Sequence, residues 1–398
     1  MKIANIRLES AHARMRAVGT VTWEDCRRPS QDVYFETTEE FGGHLSTDTD
    51  AFLTAAVMPA LAHGERRLLI EGEICPVLRD GLVTAMGLVS HWYQLRRPPL
   101  VLDGKARPTG ASRSSAPRSA VFVSGDIDSL ATLRANRLNY PPRHPAAAQD
   151  GFLVCGLQEQ PPAFKDLLAP LSDFARAADI RLIPIHTNLR CLDDSAELWS
   201  DLSEAAGLAS IAHAFKLRIG KAYIAARHDI PNLSPQASHP LLDPNYSSYD
   251  VAIRHDGVAR SRLAKTKLVA EWDVALAALT VCERAGDVSA GYLNCGECEK
   301  CLRTLLTLLV LGAIERATTF PRIDLSEEIA LSTITLDRRN VHFYRELIAP
   351  LQAIGRDDLA ASIQRRLDRY HAAGWRRPLA SFGRHRLSGR LRGTERDG

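Results

Sequence analysis

The sequence has no apolar run long enough to cross a membrane and no large excess of either charge. Its longest apolar candidate, 305–314, is much shorter than the roughly 20 residues that span a bilayer. The opening residues, MKIANIRLES, also lack the apolar run of a secretory signal. The formal net charge of +3 is too small to indicate a dedicated nucleic-acid binder. We therefore expect a cytoplasmic protein without a membrane partner.

The eight cysteines are too few and too unevenly spread for an extracellular disulfide framework. Four lie within twenty positions, with gaps of twelve, two and two residues, and these are Cys282, Cys295, Cys298 and Cys301. Thiolates at this spacing converge on one tetrahedral ion, so the pattern predicts a structural Zn²⁺ site. An iron–sulfur cluster or four free buried thiols are the alternatives. Lys300 and Arg303 would offset the negative charge of the thiolates.

The distribution of apolar residues divides the chain into five segments. Residues 1–102 mix short strand-like and helix-like runs, which is typical of a smaller α+β domain, here without an assigned role. Residues 103–119 are rich in Gly, Pro, Ser and Arg and predict a linker. Residues 120–320 form the main domain, 321–372 predict a helical C-terminal extension, and 373–398 predict a basic flexible tail.

Buried strands alternate with helical segments in the main domain. The predicted strands are 120–123, 152–157, 181–185 and 222–225. Alternation of this kind implies parallel βαβ units, and therefore an α/β fold with an open, doubly wound parallel sheet. Ligands of such sheets bind at the carboxyl ends of the strands.

A polar loop follows the first of these strands and leads into a helix. Its residues are Ser124, Gly125, Asp126, Ile127, Asp128 and Ser129. Free backbone N–H groups and the positive end of the helix dipole favour phosphate at this place. Asp128 would cap the helix or hold Mg²⁺. The alternative is a Ser-Gly-Asp turn whose only role is to cap the helix.

The loop resembles the S-G-G-x-D-S loop of the PP-loop ATP pyrophosphatases (adenine nucleotide alpha hydrolase-like, with a HUP-like fold), and five of the six positions match in type. This superfamily includes asparagine synthetase, GMP synthetase and tRNA-thiolation enzymes. The resemblance implies that the loop binds ATP with Mg²⁺, that pyrophosphate is expelled and that a substrate carboxylate or carbonyl is adenylated. Asp126 replaces the second glycine, so it either disables the loop or adds a metal ligand.

Together, the loop and the cysteine group resemble 7-cyano-7-deazaguanine synthase and its relatives, whose four cysteines bind zinc. This resemblance covers 120–312 and says nothing about the rest of the chain. An arginine and a lysine three positions apart recur in these relatives, as Arg262 and Lys265 do here. Such cations would neutralise the departing pyrophosphate. A solvated basic helix face is the alternative.

Two further polar segments are candidates for the site. His239 lies with Ser238 and Asp243 in a proline-bounded loop and is a candidate general acid or base, although a loop histidine also occurs simply at the surface. The sequence HTNLR, 186–190, follows the third predicted strand at the ligand edge of the sheet, or forms a polar capping loop.

The first functional hypothesis is a ligase or synthase that adenylates a small-molecule or peptide carboxylate with ATP, after which ammonia or an amine displaces AMP. Lys2 follows the initiator, so the chain has no cysteine at its amino terminus for a glutaminase reaction. A second hypothesis is a degenerate nucleotide-binding subunit of a defence or protein-modification assembly. A third is an RNA-modifying enzyme that uses its arginine-rich tail. Homo-oligomers are compatible with each hypothesis.

Overall fold

The computed structural model describes residues 1–95, 98–108, 118–157, 164–192, 195–284, 288–323, 325 and 334–374. Ten strands of this part of the chain form one mixed, mostly parallel sheet in the order β10-β9-β6-β7-β8-β3-β2-β1-β4-β5. In chain order they are β1 Lys2–Ala11, β2 Arg14–Thr22, β3 Gln31–Thr38, β4 Arg67–Ile74, β5 Val101–Ala106, β6 Arg118–Phe122, β7 Ala148–Cys155, β8 Arg181–Thr187, β9 Ile219–Ala225 and β10 Ala252–Asp256.

Helices cover both faces of the sheet, as expected for a doubly wound α/β fold. They are α1 Glu39–Gly42, α2 Thr49–Ala62, α3 Pro76–Tyr93, α4 Ile127–Asn139, α5 Phe164–Ala177, α6 Ala196–Leu198, α7 Glu204–Ala214, α8 Arg262–Ala270, α9 Asp273–Leu276, α10 Glu299–Val310, α11 Val341–Arg345, α12 Ile348–Ala353 and α13 Asp357–Gly374. A π-helical turn, Trp199–Ser203, joins α6 to α7. None of the described helices is both long and apolar enough to cross a membrane.

Alternate side chains of the central strands belong to two separate cores. Ala120 and Phe152 pack with α2, α3 and α7 in one core. Their chain neighbours Val121 and Leu153 pack with α4, α5, α8 and α10 in the other. A strand buried on both faces must be apolar at successive positions, which is why AVFV and GFLV read as continuous runs.

The order in which the chain adds parallel strands to the sheet reverses at β6. From β6 the chain passes through α4 to β7 and then through α5 to β8, on one side. After β8 it returns through α7 to β9, on the other side of β6. The carboxyl ends of β6 and β9 therefore flank the topological switch point, where open α/β sheets bind their ligands.

The N-terminal residues share the sheet with the main domain. Strand β3 pairs antiparallel with β8, with Glu36 opposite His186. The Asn188 side chain fastens this junction, since its Oδ1 accepts the Tyr34 N–H at 2.9 Å and its Nδ2 donates to the Asp32 carbonyl at 2.8 Å. Residues 1–102 and the main domain are thus continuous through backbone hydrogen bonds.

The predicted linker 103–119 differs at both ends from an unstructured connection. It begins within β5, and its last residues belong to β6, whereas 109–117 lie outside the described residues. Arg107 is buried and lies 2.7 Å from Asp250 and 2.9 Å from Asp50. The predicted extension 321–372 carries α11, α12 and most of α13, and the predicted tail lies outside the described residues beyond Gly374.

Candidate nucleotide site and four-cysteine cluster

The loop 124–129 turns sharply between β6 and α4. Gly125 has φ of +82°, a backbone conformation that favours glycine. A Cβ at this position would lie 3.3 Å from the Ala278 carbonyl oxygen. The Gly125 carbonyl accepts the Thr280 N–H at 2.8 Å, so the loop is bonded to the segment that leads to Cys282.

Helix α4 is capped by Asp126 and not by Asp128, which lies within the helix and too far along it to be the N-cap. Asp126 Oδ1 accepts the Ser129 N–H at 2.9 Å, and Ser124 Oγ donates to Ser129 Oγ at 3.1 Å. Ser129 Oγ in turn donates to the Asp126 carbonyl at 3.1 Å. The Asp126 carboxylate therefore lies at the positive end of the helix dipole, where a phosphate oxygen would bind in a phosphate loop.

Asp128 is the second residue of α4. It forms an ion triad with two cations that lie far away in the sequence. Arg262 Nη1 lies 2.6 Å from its Oδ2, and Lys265 Nζ lies 3.1 Å from its Oδ1. Lys265 is only 2% exposed and also donates to the Ala226 carbonyl at the end of β9. Burial acts to raise the pKa of Asp128, but the two cations outweigh it and lower that pKa to about 2.

A cavity of about 330 Å³ opens above the loop at the carboxyl ends of β6, β7 and β9. Its polar lining is Ser124, Asp126, Asp128, Ser129, Glu204, Arg227, Gln236, Ser238 and Lys300. Its apolar walls include Phe152, Leu153, Leu167, Trp199 and Leu208. Arg227 lies 3.2 Å from Glu204. The cavity thus combines apolar walls with a charged floor, the usual composition of a small-ligand site.

The four cysteines of the predicted metal site come together. Their Sγ atoms all lie within 4.8 Å of one another, and Cys295 and Cys301 Sγ are 3.8 Å apart. Tetrahedral zinc with Zn–S bonds of about 2.3 Å separates its sulfurs by about 3.8 Å, so the donor set fits one such ion. Backbone N–H groups of Cys298 and Arg284 point at the sulfurs of Cys295 and Cys282, at 3.3 Å each.

A buried asparagine holds the two parts of the cluster in register. Asn294 Oδ1 accepts the Val281 and Cys282 N–H groups at 2.8 and 3.2 Å, and its Nδ2 donates to the Leu279 carbonyl at 2.8 Å. The hydrogen bond from the Cys301 thiol lowers the pKa of Cys298. Burial raises the pKa of Cys282 to about 11.

Helix α10 connects the cluster with the cavity. Cys298 is its N-cap, and Cys301 lies in its first turn. Lys300 lines the cavity and lies 2.8 Å from Glu283. The Arg303 guanidinium lies over the Phe343 ring at 4.5 Å and 3.3 Å from Glu299.

The C-terminal helices support the ion triad. Phe343 on α11 lies beside both Arg303 and Arg262, whose guanidinium carbon is 5.9 Å from the ring centroid. Glu346 Oε1 accepts the Leu263 N–H at 3.0 Å and so satisfies a free donor at the start of α8. His342 shares a 3.1 Å hydrogen bond with His228. These contacts fix the helix that presents Arg262 and Lys265.

Neither a family model, nor a curated protein, nor a solved structure matches this chain. The resemblance to the PP-loop ATP pyrophosphatases rests on the residues of this chain alone. The sheet, the switch point and the position of the loop are compatible with that fold without identifying it.

The structure brings together three of the four predicted catalytic residues, Asp128, Arg262 and Lys265. His239 is not among the described residues that line the cavity. Its ring packs edge-on against Trp92 at 4.9 Å, and its Nδ1 accepts the Leu241 N–H at 3.1 Å. Burial lowers the pKa of His239. Its role in acid–base chemistry remains a prediction.

The sequence reasoning missed several residues of the site. No sequence motif includes Arg227 or Glu204, which line the cavity. The segment that contains Phe343 and Glu346 was predicted only to be helical. A basic residue just after a predicted strand end was the one available signal for Arg227. The other contacts depend on tertiary packing.

Proposed function

We propose that this chain is a Mg·ATP-dependent adenylating enzyme of the PP-loop kind, similar to 7-cyano-7-deazaguanine synthase. The observation that carries the proposal is the convergence of Asp128, Arg262 and Lys265 beneath the loop at the switch point of the sheet. A substrate oxygen attacks the α-phosphate of ATP and pyrophosphate leaves. Ammonia or an amine then displaces AMP from the activated carbon.

The charges of the site suit this reaction. Four carboxylates (Asp126, Asp128, Glu204 and Glu283) lie at or next to the cavity with four cations (Arg227, Arg262, Lys265 and Lys300), so these groups balance before Mg²⁺ is added. In the proposed complex, Asp128 binds Mg²⁺, which leaves Arg262 and Lys265 for the phosphates. Cations in fixed positions stabilise the charge that builds up on pyrophosphate as it leaves.

The position of the Asp126 side chain in the nucleotide complex distinguishes this function from a second candidate. In this structure the Asp126 carboxylate accepts a hydrogen bond from the Ser129 N–H, a donor that a bound phosphate would need. In the adenylating enzyme, the Asp126 side chain turns away from the start of α4 when the nucleotide enters, and the N–H is freed. In the second candidate it stays in place, and the protein is a nucleotide-binding or partner-binding subunit without chemistry.

The test is pyrophosphate release from Mg·ATP in the presence of a panel of carboxylates and 7-deazapurines. The proposal expects release by the wild type, and a loss of about 100-fold or more in Asp128→Asn and Lys265→Met. Asp173→Asn, at an exposed carboxylate on α5, is the matched control. If the wild type is inactive and Asp126→Gly releases pyrophosphate, the second candidate is correct and the enzyme assignment fails.

The four-cysteine cluster is proposed as a structural Zn²⁺ site. Four thiolates complete a tetrahedral ion and leave no position for a substrate. Such thiolate sites are typical of cytoplasmic proteins, which is the location we propose. Metal analysis of the purified protein distinguishes one zinc per chain from iron with acid-labile sulfide.

A further inference from the structure

A second group of polar side chains lies behind the cavity wall, between β9 and β10. Ser238 lines the cavity, Asp243 begins a short 3₁₀ helix and His255 lies on β10. Ser238 Oγ and His255 Nδ1 each lie 2.8 Å from Asp243 Oδ2. The side chains of Asp243 and His255 are 0% and 3% exposed. Only the serine connects this cluster with the cavity.

The hydrogen bonds define the state of each group. Asp243 Oδ2 accepts from the Ser238 hydroxyl and from His255 Nδ1–H, and Oδ1 accepts the His239 N–H at 2.9 Å. We assign Asp243 as the carboxylate, which can accept from all three donors, whereas a carboxylic acid would donate to His255 Nδ1. The His255 proton is therefore on Nδ1. Its Nε2 is a buried lone pair without a hydrogen-bond partner among the described residues.

Such an arrangement costs free energy in a folded protein. A buried carboxylate without a cationic partner is unfavourable, and so is a buried acceptor without a donor. Packing of the loop requires neither, since an amide at position 243 would accept the His239 N–H equally well. A hydroxyl that lines the cavity and donates to a buried carboxylate is in position for proton transfer.

We propose that Ser238 and Asp243 accept the proton of the attacking amine in the second half-reaction. This inference rests on the proposed adenylating function. As the nitrogen forms its bond to the activated carbon, the bond from that carbon to the phosphate oxygen breaks, and AMP leaves with the electron pair. The surplus N–H proton passes to Ser238 Oγ while the serine proton passes to Asp243 Oδ2.

His255 has a different part in this relay. It touches neither the cavity nor the nucleophile, and its Nδ1–H orients the carboxylate toward Ser238, so it is a positioning residue. The neighbouring His239, a candidate acid or base from the sequence, contacts Asp243 through its backbone N–H. The catalytic group of the loop is thus the serine one residue earlier.

The experiment compares two nucleophiles in the full-length protein. The substrate is the carboxylate that gives the most pyrophosphate in the panel above, and the nucleophiles are ammonium chloride and hydroxylamine. Both nucleophiles attack as the neutral amine, but ammonia is the weaker nucleophile and depends on a base for its surplus proton, whereas hydroxylamine traps an activated carboxyl without one. The variants are Ser238→Ala, Asp243→Asn and His255→Gln. Ser238→Thr restores the hydroxyl, and Ser234→Ala changes an exposed serine of the same loop.

We expect Ser238→Ala and Asp243→Asn to lose about 100-fold more of the ammonia-dependent AMP release than of the hydroxylamine-dependent pyrophosphate release. His255→Gln should lose less, and Ser238→Thr should recover most of the ammonia reaction. The proposal is overturned if Ser238→Ala keeps the ammonia reaction, or if the rates with both nucleophiles fall together as in a misfolded protein. If neither the wild type nor Asp126→Gly releases pyrophosphate with either nucleophile, the proposed function itself fails and this inference fails with it.

Discussion

Replacement of Asp126 by glycine should increase the affinity for Mg·ATP. The change removes the carboxylate that accepts the Ser129 N–H at 2.9 Å. It costs the cap of α4 a few tenths of a kcal/mol, because glycine is itself a tolerated N-cap. The freed N–H can then donate to a phosphate oxygen, and a hydrogen bond to a charged group contributes about 1.5–3 kcal/mol. At 1.4 kcal/mol per tenfold, this corresponds to roughly 10–100-fold tighter binding.

Isothermal titration calorimetry with ATP at saturating Mg²⁺ measures this affinity directly. Asp126→Asn is the matched control, because its amide oxygen keeps the cap and removes only the charge. We expect it to gain less than the glycine variant, since its oxygen still holds the Ser129 N–H. The backbone is compatible with either residue, as Asp126 has φ of −82°.

A loss of affinity in Asp126→Gly would refute this reasoning. It would mean that the carboxylate binds the metal of the complex, so that its removal costs more than the freed N–H returns. Equal affinities in all three proteins would place the nucleotide elsewhere, because neither the charge nor the cap would then touch a phosphate.

Three further predictions concern the ion pairs and the metal. Asp128→Asn should destabilise the fold by about 3–5 kcal/mol in urea unfolding, since Arg262 and Lys265 stay buried without their carboxylate. The pKa of about 2 for Asp128 lies below that of an unfolded aspartate, so the wild type should lose this contribution as pH falls from about 4 through 2. Burial and the neighbouring Asp48 raise the pKa of Asp50 to about 7, so the free energy of unfolding should fall as pH rises from about 4 to 7. Asp50→Asn should remove this pH dependence, as measured by urea titrations at several pH values. If the proposed Zn²⁺ is bound, its removal with a chelator should weaken nucleotide binding after Mg²⁺ is restored, because the start of α10 carries Lys300. Cys298→Ser should have the same effect, whereas Cys26→Ser, at a cysteine outside the cluster, should not.

Local features of the site followed from the sequence because their causes are local. An apolar strand, a glycine with positive φ and an aspartate cap lie within about ten residues of one another, and each has a pattern of its own. The spacing of the cysteines works in the same way, since two-residue gaps bring thiolates together without knowledge of the fold. The structure confirms that the four sulfurs cluster.

Other features depend on contacts between distant residues. Nothing in the alternation of 31–38 indicates that β3 pairs with β8, because register across a sheet is decided by side-chain packing and twist. Strand β10 escaped notice since its sequence AIRHD has only two apolar residues, at one end. The expectation that Arg303 offsets the thiolate charge is not supported, because a helical residue two positions after Cys301 projects from another face, here onto Phe343.

The position of the cysteine cluster explains how an ion without an open coordination site can matter to the cavity. Gly125 is bonded to Thr280, and Asn294 joins Leu279 to the backbone of Cys282, so the segment 279–282 belongs to the loop wall and to the cluster at once. Helix α10 leaves the other side of the cluster and presents Lys300 to the cavity. The proposed ion, by fixing four sulfurs, would therefore fix the distance between the loop 124–129 and Lys300. Its contribution is preorganisation, which in phosphoryl and adenylyl transfer accounts for most of what a protein supplies.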